Sequence, residues 1–318
     1  MKIIALEEHF WTAGIRQANR DEMPAVFADR IPKLEDLGEQ RIRDMDRTGV
    51  DVQVISHTTP ATQTLSASEA IPLAKEANDQ LAAAISKHPD RFAGFATLPT
   101  PDPDAAAQEL DRAVRALHFK GAMVNGRTGA KFLDDPVYTP ILEAATSLDV
   151  PLYLHPTRPP EAVQNAYYGG FDPAVSSMLA NAGWGWHMET GIHALRLILA
   201  GVFDRYPSLQ VILGHWGEMV PFYLARVDWA LSPLAKNLHR RVADYFLENF
   251  YATPSGLFTV PPLLLTLQVM GADRIMYSVD YPYVPGEDAR SYLEKAPISP
   301  ADKAKIAHRN AERLLKLG

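Results

Sequence analysis

The run Lys2-Ile3-Ile4-Ala5-Leu6-Glu7-Glu8-His9 carries the first decision about this chain. An apolar strand-like stretch closes on two acids and an imidazole. Side chains alternate faces along a strand, so Glu7 and His9 point the same way. A carboxylate and an imidazole at that spacing suit one metal ion at the mouth of a parallel barrel. Outward from this stretch, apolar and β-branched runs recur near residues 2–8, 50–56, 92–98, 121–125, 151–155, 209–214, 250–253 and 275–279.

Helical periodicity fills the intervals. A helix is expected over 37–48, with Ile42, Met45 and Val50 near one face, and an alanine-rich one over 67–87. A third begins at Asp104 and a fourth covers 136–148. The segment 189–203 places Ile192, Leu195, Leu199 and Val202 on one stripe. Eight strands alternating with helices predict an α/β fold, a (β/α)8 TIM barrel, as one domain over residues 1–318. A doubly wound open sheet is the competing topology, but no G-x-G-x-x-G follows the first strand. The stretches 11–36 and 157–181 read as long loops, placed where barrels vary their specificity.

Bulk properties narrow the function classes. A formal net charge of -7 gives no reason to expect nucleic acid or an anionic membrane as partner. No cysteine is present, so any metal is held by His and carboxylate, which suits Zn²⁺ or Mn²⁺. No apolar run reaches membrane-spanning length and no signal peptide is visible, so a cytoplasmic location is expected.

His155, His215 and Asp280 each end a later apolar run, as Glu7 and His9 end the first. Each has a plain reading alone: a solvated acid, a hydrogen-bonded structural histidine, an aspartate opening a turn before Tyr281-Pro282. Five such residues at the same end of four strands point instead to a mononuclear metal site at the C-terminal mouth, and so to an enzyme.

The stretches Ala5-Leu6-Glu7-Glu8-His9-Phe10, His155-Pro156, Leu213-Gly214-His215-Trp216-Gly217-Glu218 and Ser278-Val279-Asp280-Tyr281-Pro282 resemble the amidohydrolase superfamily. So does Glu189-Thr190-Gly191-Ile192-His193-Ala194-Leu195-Arg196-Leu197. Within it, the chain is most similar to the branch of γ-resorcylate, 5-carboxyvanillate and aminocarboxymuconate-semialdehyde decarboxylases. The resemblance implies that Glu7, His9, His155 and Asp280 bind one divalent ion, with no organic cofactor. It makes His215 a catalytic residue outside the ligand set and Asp280 the proton donor. Arg226 would grip the substrate carboxylate, in some relatives across a subunit interface; an ion pair with Asp228 or Glu218 is its alternative. Phe27, Tyr283 and His57 are expected to line the pocket, and His187 to approach it. His193 is expected to be packed, and His88, His118, His239 and His308 to lie on the surface.

The implied activity is non-oxidative decarboxylation of a hydroxy-aromatic acid by a homodimer or homotetramer. Hydrolysis of a lactone, ester or amide on the same scaffold is the second reading, and a non-catalytic barrel the third. Thr157 and Arg158 after His155-Pro156, and Tyr283-Val284 after Asp280, depart from the pattern of the branch. The substrate is therefore expected to differ from resorcylate itself.

Overall fold

The computed structural model describes residues 1–19 and 25–317, with side chains for all of these except residues 25–27. Nine parallel strands are found among them. They are β1 (Ile4–Phe10), β2 (Val52–His57), β3 (Phe92–Gly94), β4 (Ala96–Thr97), β5 (Ala122–Asn125), β6 (Leu152–His155), β7 (Val211–Leu213), β8 (Phe250–Ala252) and β9 (Tyr277–Ser278). They pair in the orders β3-β2-β1-β9 and β4-β5-β6-β7-β8. Two joints close these into a ring. At Phe95 one run changes partner: the Phe95 N–H donates to Ile55, the Ala96 N–H to Gly121. At the other joint a parallel bridge links Ala252 to Ile275, just before β9. The expected third strand is thus β3 plus β4, and the ring has the eight positions of the predicted TIM barrel.

The strands are apolar on both faces, as buried parallel strands are. One cluster takes Ile4, Leu6, Val54, Ala93, Phe95, Met123, Tyr153, Ile212, Tyr251 and Met276, and it fills the barrel. Ala311 and Leu315 close its lower end. Ile3, Ala5, Ile55, Val124, Leu154 and Leu213 face the other way, into the layer under the helices. Two residues beyond the interior set come Ser56, Asn125, His155, Thr253 and Ser278, all buried and all polar. The interior therefore changes from apolar to polar at the C-terminal mouth.

Helices α1 (Glu39–Thr48), α2 (Ala67–Lys87), α3 (Pro103–Leu117), α4 (Thr139–Ser147), α5 (Gly185–Leu199), α6 (Val220–Leu231), α7 (Val242–Asn249), α8 (Val260–Met270) and α9 (Ala289–Lys295) surround the barrel. A capping box of Ser66 and Glu69 starts α2, and the Asp102 side chain accepts from the Ala105 N–H to start α3. Among the described residues no helix is long and apolar enough to cross a membrane.

Two expectations change. The stretches 11–36 and 157–181 carry short helices, including Ala13–Ala18, Ile31–Glu35 and Pro173–Ala180, rather than plain loops. The stripe assigned to 189–203 fails at its first member only: Val202 is buried and Leu195 and Leu199 pack against the core. Ile192 is 47 % exposed, while Thr190, Gly191, His193, Ala194, Leu197 and Ile198 are buried. The reason lies at Gly191, where a β-carbon would stand 2.7 Å from the Glu218 carbonyl oxygen. Close backbone contact at Gly191, together with burial of Ala194, Leu197 and Ile198, sets the inner face of α5 and leaves Ile192 outside.

Candidate metal centre

Strict alternation along β1 would send Glu7 and His9 outward with Ile3 and Ala5. A break in pairing register between Ala5 and Glu8, with Glu7 at φ 61, reverses the phase. Such a bulge re-aims side chains. Glu7 and His9 turn into the mouth, and Glu8 turns out. There Glu8 accepts from the Val279 N–H at 2.8 Å and from Gln53 at 3.2 Å, and Gln53 accepts from the buried Arg41 at 3.1 Å. Burial lifts the Glu8 carboxyl to about 8, against the pull of the Val279 N–H and of Arg41. Glu8 thereby ties β1 to the segment that delivers Asp280.

Glu7, His9, His155 and Asp280 converge, each offering an atom within 4.8 Å of the others. His9 Nε2 lies 3.2 Å from Asp280 Oδ1, and His155 Nε2 lies 3.5 Å from Glu7 Oε1. Donors bound to one ion at about 2.1 Å stand roughly 3–4 Å apart, so these spacings fit a shared cation. The chemistry fits as well. Glu7 Oε1 and His9 Nε2 are buried with no hydrogen-bond partner among the described residues. Burial pushes the Glu7 carboxyl up and lifts Asp280 to about 7, while it lowers His9 to about 4 and His155 well below its usual value. Two neutral imidazoles beside two acids that resist ionising make a cage that a divalent cation completes.

The second oxygen of Glu7 is occupied. Oε2 accepts from Tyr153 Oη at 2.5 Å and from Ser255 Oγ. Gly214 backs the same carboxylate, with a hypothetical β-carbon 2.9 Å from each oxygen. Glu7 is so held that one oxygen is left for a metal.

His215 stands beside this group on an unusual turn. Residues 215–219 have φ values of 46, 58, 84, 53 and 68, and only Gly217 is a glycine. Left-handed backbone costs L-residues about 1–2 kcal/mol each. The turn is held by its surroundings: the His215 N–H donates to Ser255 Oγ, the Trp216 N–H to the Thr253 carbonyl, and Trp216 Nε1 to the Leu257 carbonyl. Glu218 is thereby brought under His215, with Oε1 2.8 Å from Nδ1. Burial opposes the cation, but Glu218, Glu7 and Asp280 together lift His215 to about 9.

The remaining expected residues divide. The Tyr283 ring centre lies 5.7 Å from that of His9, at the site. His57 does not join the ligand group: its Nε2 accepts from the Thr12 N–H, and its Nδ1 lies 3.0 Å from the Thr58 carbonyl. Burial lowers His57 to about 4, and it fastens the chain leaving β1. Arg226 is exposed on α6 and stacked over Trp229 at 5.1 Å. Neither carboxylate considered for it is available, because Asp228 pairs with Arg241 and Glu218 with two histidines. The Phe27 side chain lies outside the described residues. His193 is fully buried and accepts from the Leu133 N–H, while His88, His118, His239 and His308 are not buried.

Glu218, Tyr153, Ser255 and Gly214 were not among the expected site residues. Tyr153 had a visible signal, two residues before His155 on the same strand face. Ser255 had none.

A family model for amidohydrolases matches residues 9–317. The chain belongs to the amidohydrolase family. Among amidohydrolase relatives, the γ-resorcylate decarboxylase of Rhodococcus jostii (strain RHA1) is 39 % identical over 99 % of this chain and 98 % of that one. A solved 2,6-dihydroxybenzoate decarboxylase in complex with 2,6-dihydroxybenzoate is 38 % identical, with TM-score 0.92 and 100 % of both chains covered. A dihydroxybenzoic acid decarboxylase from Polaromonas sp. JS666, solved with manganese and the inhibitor 2-nitroresorcinol, is 38 % identical with TM-score 0.92. It covers 99 % of this chain and 97 % of its own.

Proposed function

We propose that this amidohydrolase is a metal-dependent, non-oxidative decarboxylase of a hydroxy-aromatic carboxylic acid of the dihydroxybenzoate type. The observation that carries the reading is the Glu7–His9–His155–Asp280 cage, in a chain alike over its whole length to such decarboxylases. The four residues would hold one divalent ion, Mn²⁺ or Zn²⁺. An ion bound there supplies charge neutralisation and orientation to the substrate carboxylate and its neighbouring hydroxyl.

The chain's own groups do the rest. The C–C bond to the carboxylate breaks, CO₂ leaves, and the ring carbon keeps the electron pair and takes one proton. Asp280, at the mouth beside His9, is the group suited to hold that proton and release it. His215, hydrogen-bonded to Glu218 through Nδ1, faces the substrate as a hydrogen-bond donor and relays the proton that Asp280 delivers. Tyr283 forms a wall beside His9.

Arg226 enters this reading from a second subunit. Phe222, Tyr223 and Trp229 share helix α6 with it and are 63, 52 and 68 % exposed. Monomers rarely leave so much aromatic surface open, which supports a homodimer or homotetramer with Arg226 reaching the neighbouring site.

The hydrolytic alternative is weaker, because two carboxylate ligands nearly cancel a divalent charge and blunt its action on water. A panel assay separates the two. Metal-loaded protein with hydroxybenzoates should release CO₂ and the matching phenol. Turnover of lactones with no hydroxybenzoate consumed would overturn the reading.

A further inference from the structure

Outside the ligand cage the structure holds a second buried cluster. Glu218 presents Oε1 to His215 Nδ1 and Oε2 to His187 Nδ1, each at 2.8 Å. One carboxylate thus serves two imidazoles whose ring centres are 4.4 Å apart. Two cations that close repel, so the arrangement suits one imidazolium at a time. Side-chain exposure rises outward from Glu218 at 0 % through His215 at 9 % to His187 at 16 %.

The other nitrogen of His187 has two opposed neighbours. Trp186 Nε1, which can only donate, lies 3.1 Å from His187 Nε2. The Ala182 carbonyl oxygen, which can only accept, lies 3.1 Å from the same atom. A neutral ring with its hydrogen on Nδ1 accepts from Trp186. A protonated ring donates to Ala182. Nδ1–H stays on Glu218 in both states, so the ring has a partner in each. Protonation turns Nε2 from the Trp186 N–H to the Ala182 carbonyl and requires the indole N–H to shift away. His57 differs, because its Nε2 meets only a donor, the Thr12 N–H.

Decarboxylation of an acid anion takes up one proton per turnover. If His215 gave up its proton with nothing to replace it, Glu218 would be left as a buried, uncompensated anion. That costs several kcal/mol. A neighbour able to take the charge removes this cost.

We propose that His187 is the alternate counter-cation of Glu218: neutral while His215 carries the proton, and protonated at Nε2 from solvent when His215 releases it. His187 acts through Glu218 and touches no reacting atom, so it is a positioning residue. The titratable groups facing it are Glu218 and His215 from the left-handed turn, with His155 and Asp280 further in. This inference rests on the decarboxylase reading for its consequence in turnover, and not for its electrostatics.

The test has two arms. His187→Gln keeps an N–H for Glu218 but carries no charge. Its kcat should fall about tenfold or more with KM unchanged, and the solvent deuterium effect on kcat should rise. Parental kcat and isotope effect in this variant would mean that a hydrogen bond suffices, and would overturn the proposal. The second arm needs no substrate. In ¹⁵N-histidine-labelled protein, His215→Asn should raise the titration midpoint of His187 by about one pH unit, since Glu218 then has a single imidazole. An unmoved midpoint overturns the proposal. Inactivity of the parent on every hydroxybenzoate would count against the decarboxylase reading and leave the midpoint result standing.

Discussion

Gly214 lies directly against the carboxylate of Glu7: a β-carbon there would stand 2.9 Å from both oxygens and 2.6 Å from Ser255 Oγ. The backbone at 214 is extended, with φ -71, so alanine is conformationally acceptable. Any defect in Gly214→Ala must then come from crowding of Glu7 and of Ser255 Oγ, which holds it. Metal affinity is expected to fall roughly 10- to 100-fold, the usual effect of disturbing the shell behind a ligand. Metal retained after dialysis measures this, and full retention would show that Glu7 tolerates displacement.

Tyr153 supports the same carboxylate from the barrel interior through its 2.5 Å bond. Tyr153→Phe keeps the ring packed near Phe95 and removes only the hydroxyl. Ser255 remains as a donor to Oε2, so about tenfold weaker metal binding is expected with little change in Tm. A competition titration against a chelator measures it. Parental affinity would remove Tyr153 from the support of the site.

Asp280→Asn keeps an oxygen for a metal but cannot cycle a proton at pH 7. Turnover should be abolished while part of the bound metal survives. Retained decarboxylation would exclude Asp280 as the proton donor.

Acid stability should depend on His193. Burial lowers it to about 3 from its ordinary 6.5, with Nε2 accepting from the Leu133 N–H. Below 6.5 the unfolded chain binds a proton that the folded chain refuses. Stability is whole above that pH and is lost as pH falls towards 3, with a limiting slope of about 1.4 kcal/mol per unit. His193→Gln keeps an acceptor for Leu133 without this linkage. Denaturant titrations at pH 7 and 5 should show a smaller loss in the variant, and equal losses would contradict the assignment.

Much of the fold was legible because parallel barrel strands are apolar on both faces and their ends carry the chemistry. His155 and Asp280 were found as polar residues closing apolar runs. The pair Glu7 and His9 was found by alternation, but the face they occupy depends on the bulge at Glu7, which no periodicity announces. Glu218 was out of reach for a related reason. It meets His215 only because residues 215–219 adopt a left-handed turn, with hydrogen bonds to Ser255, Thr253 and Leu257 far along the chain. Ile192 was misplaced because the inner face of α5 is set by the Gly191 contact together with Ala194, Leu197 and Ile198. Arg226 lies at an exposed aromatic face, and a single chain's periodicity does not tell such a face from a solvated one.

The central claim is that one divalent ion, held by Glu7, His9, His155 and Asp280, is required for loss of CO₂. The direct measurement strips the protein with chelator and restores Mn²⁺ in fractions of an equivalent while recording CO₂ release from 2,6-dihydroxybenzoate and related hydroxybenzoates. Activity should be lost on stripping, rise linearly to one ion per chain, and then stay flat. Activity that survives complete removal of metal, or that needs a second ion, would contradict the account.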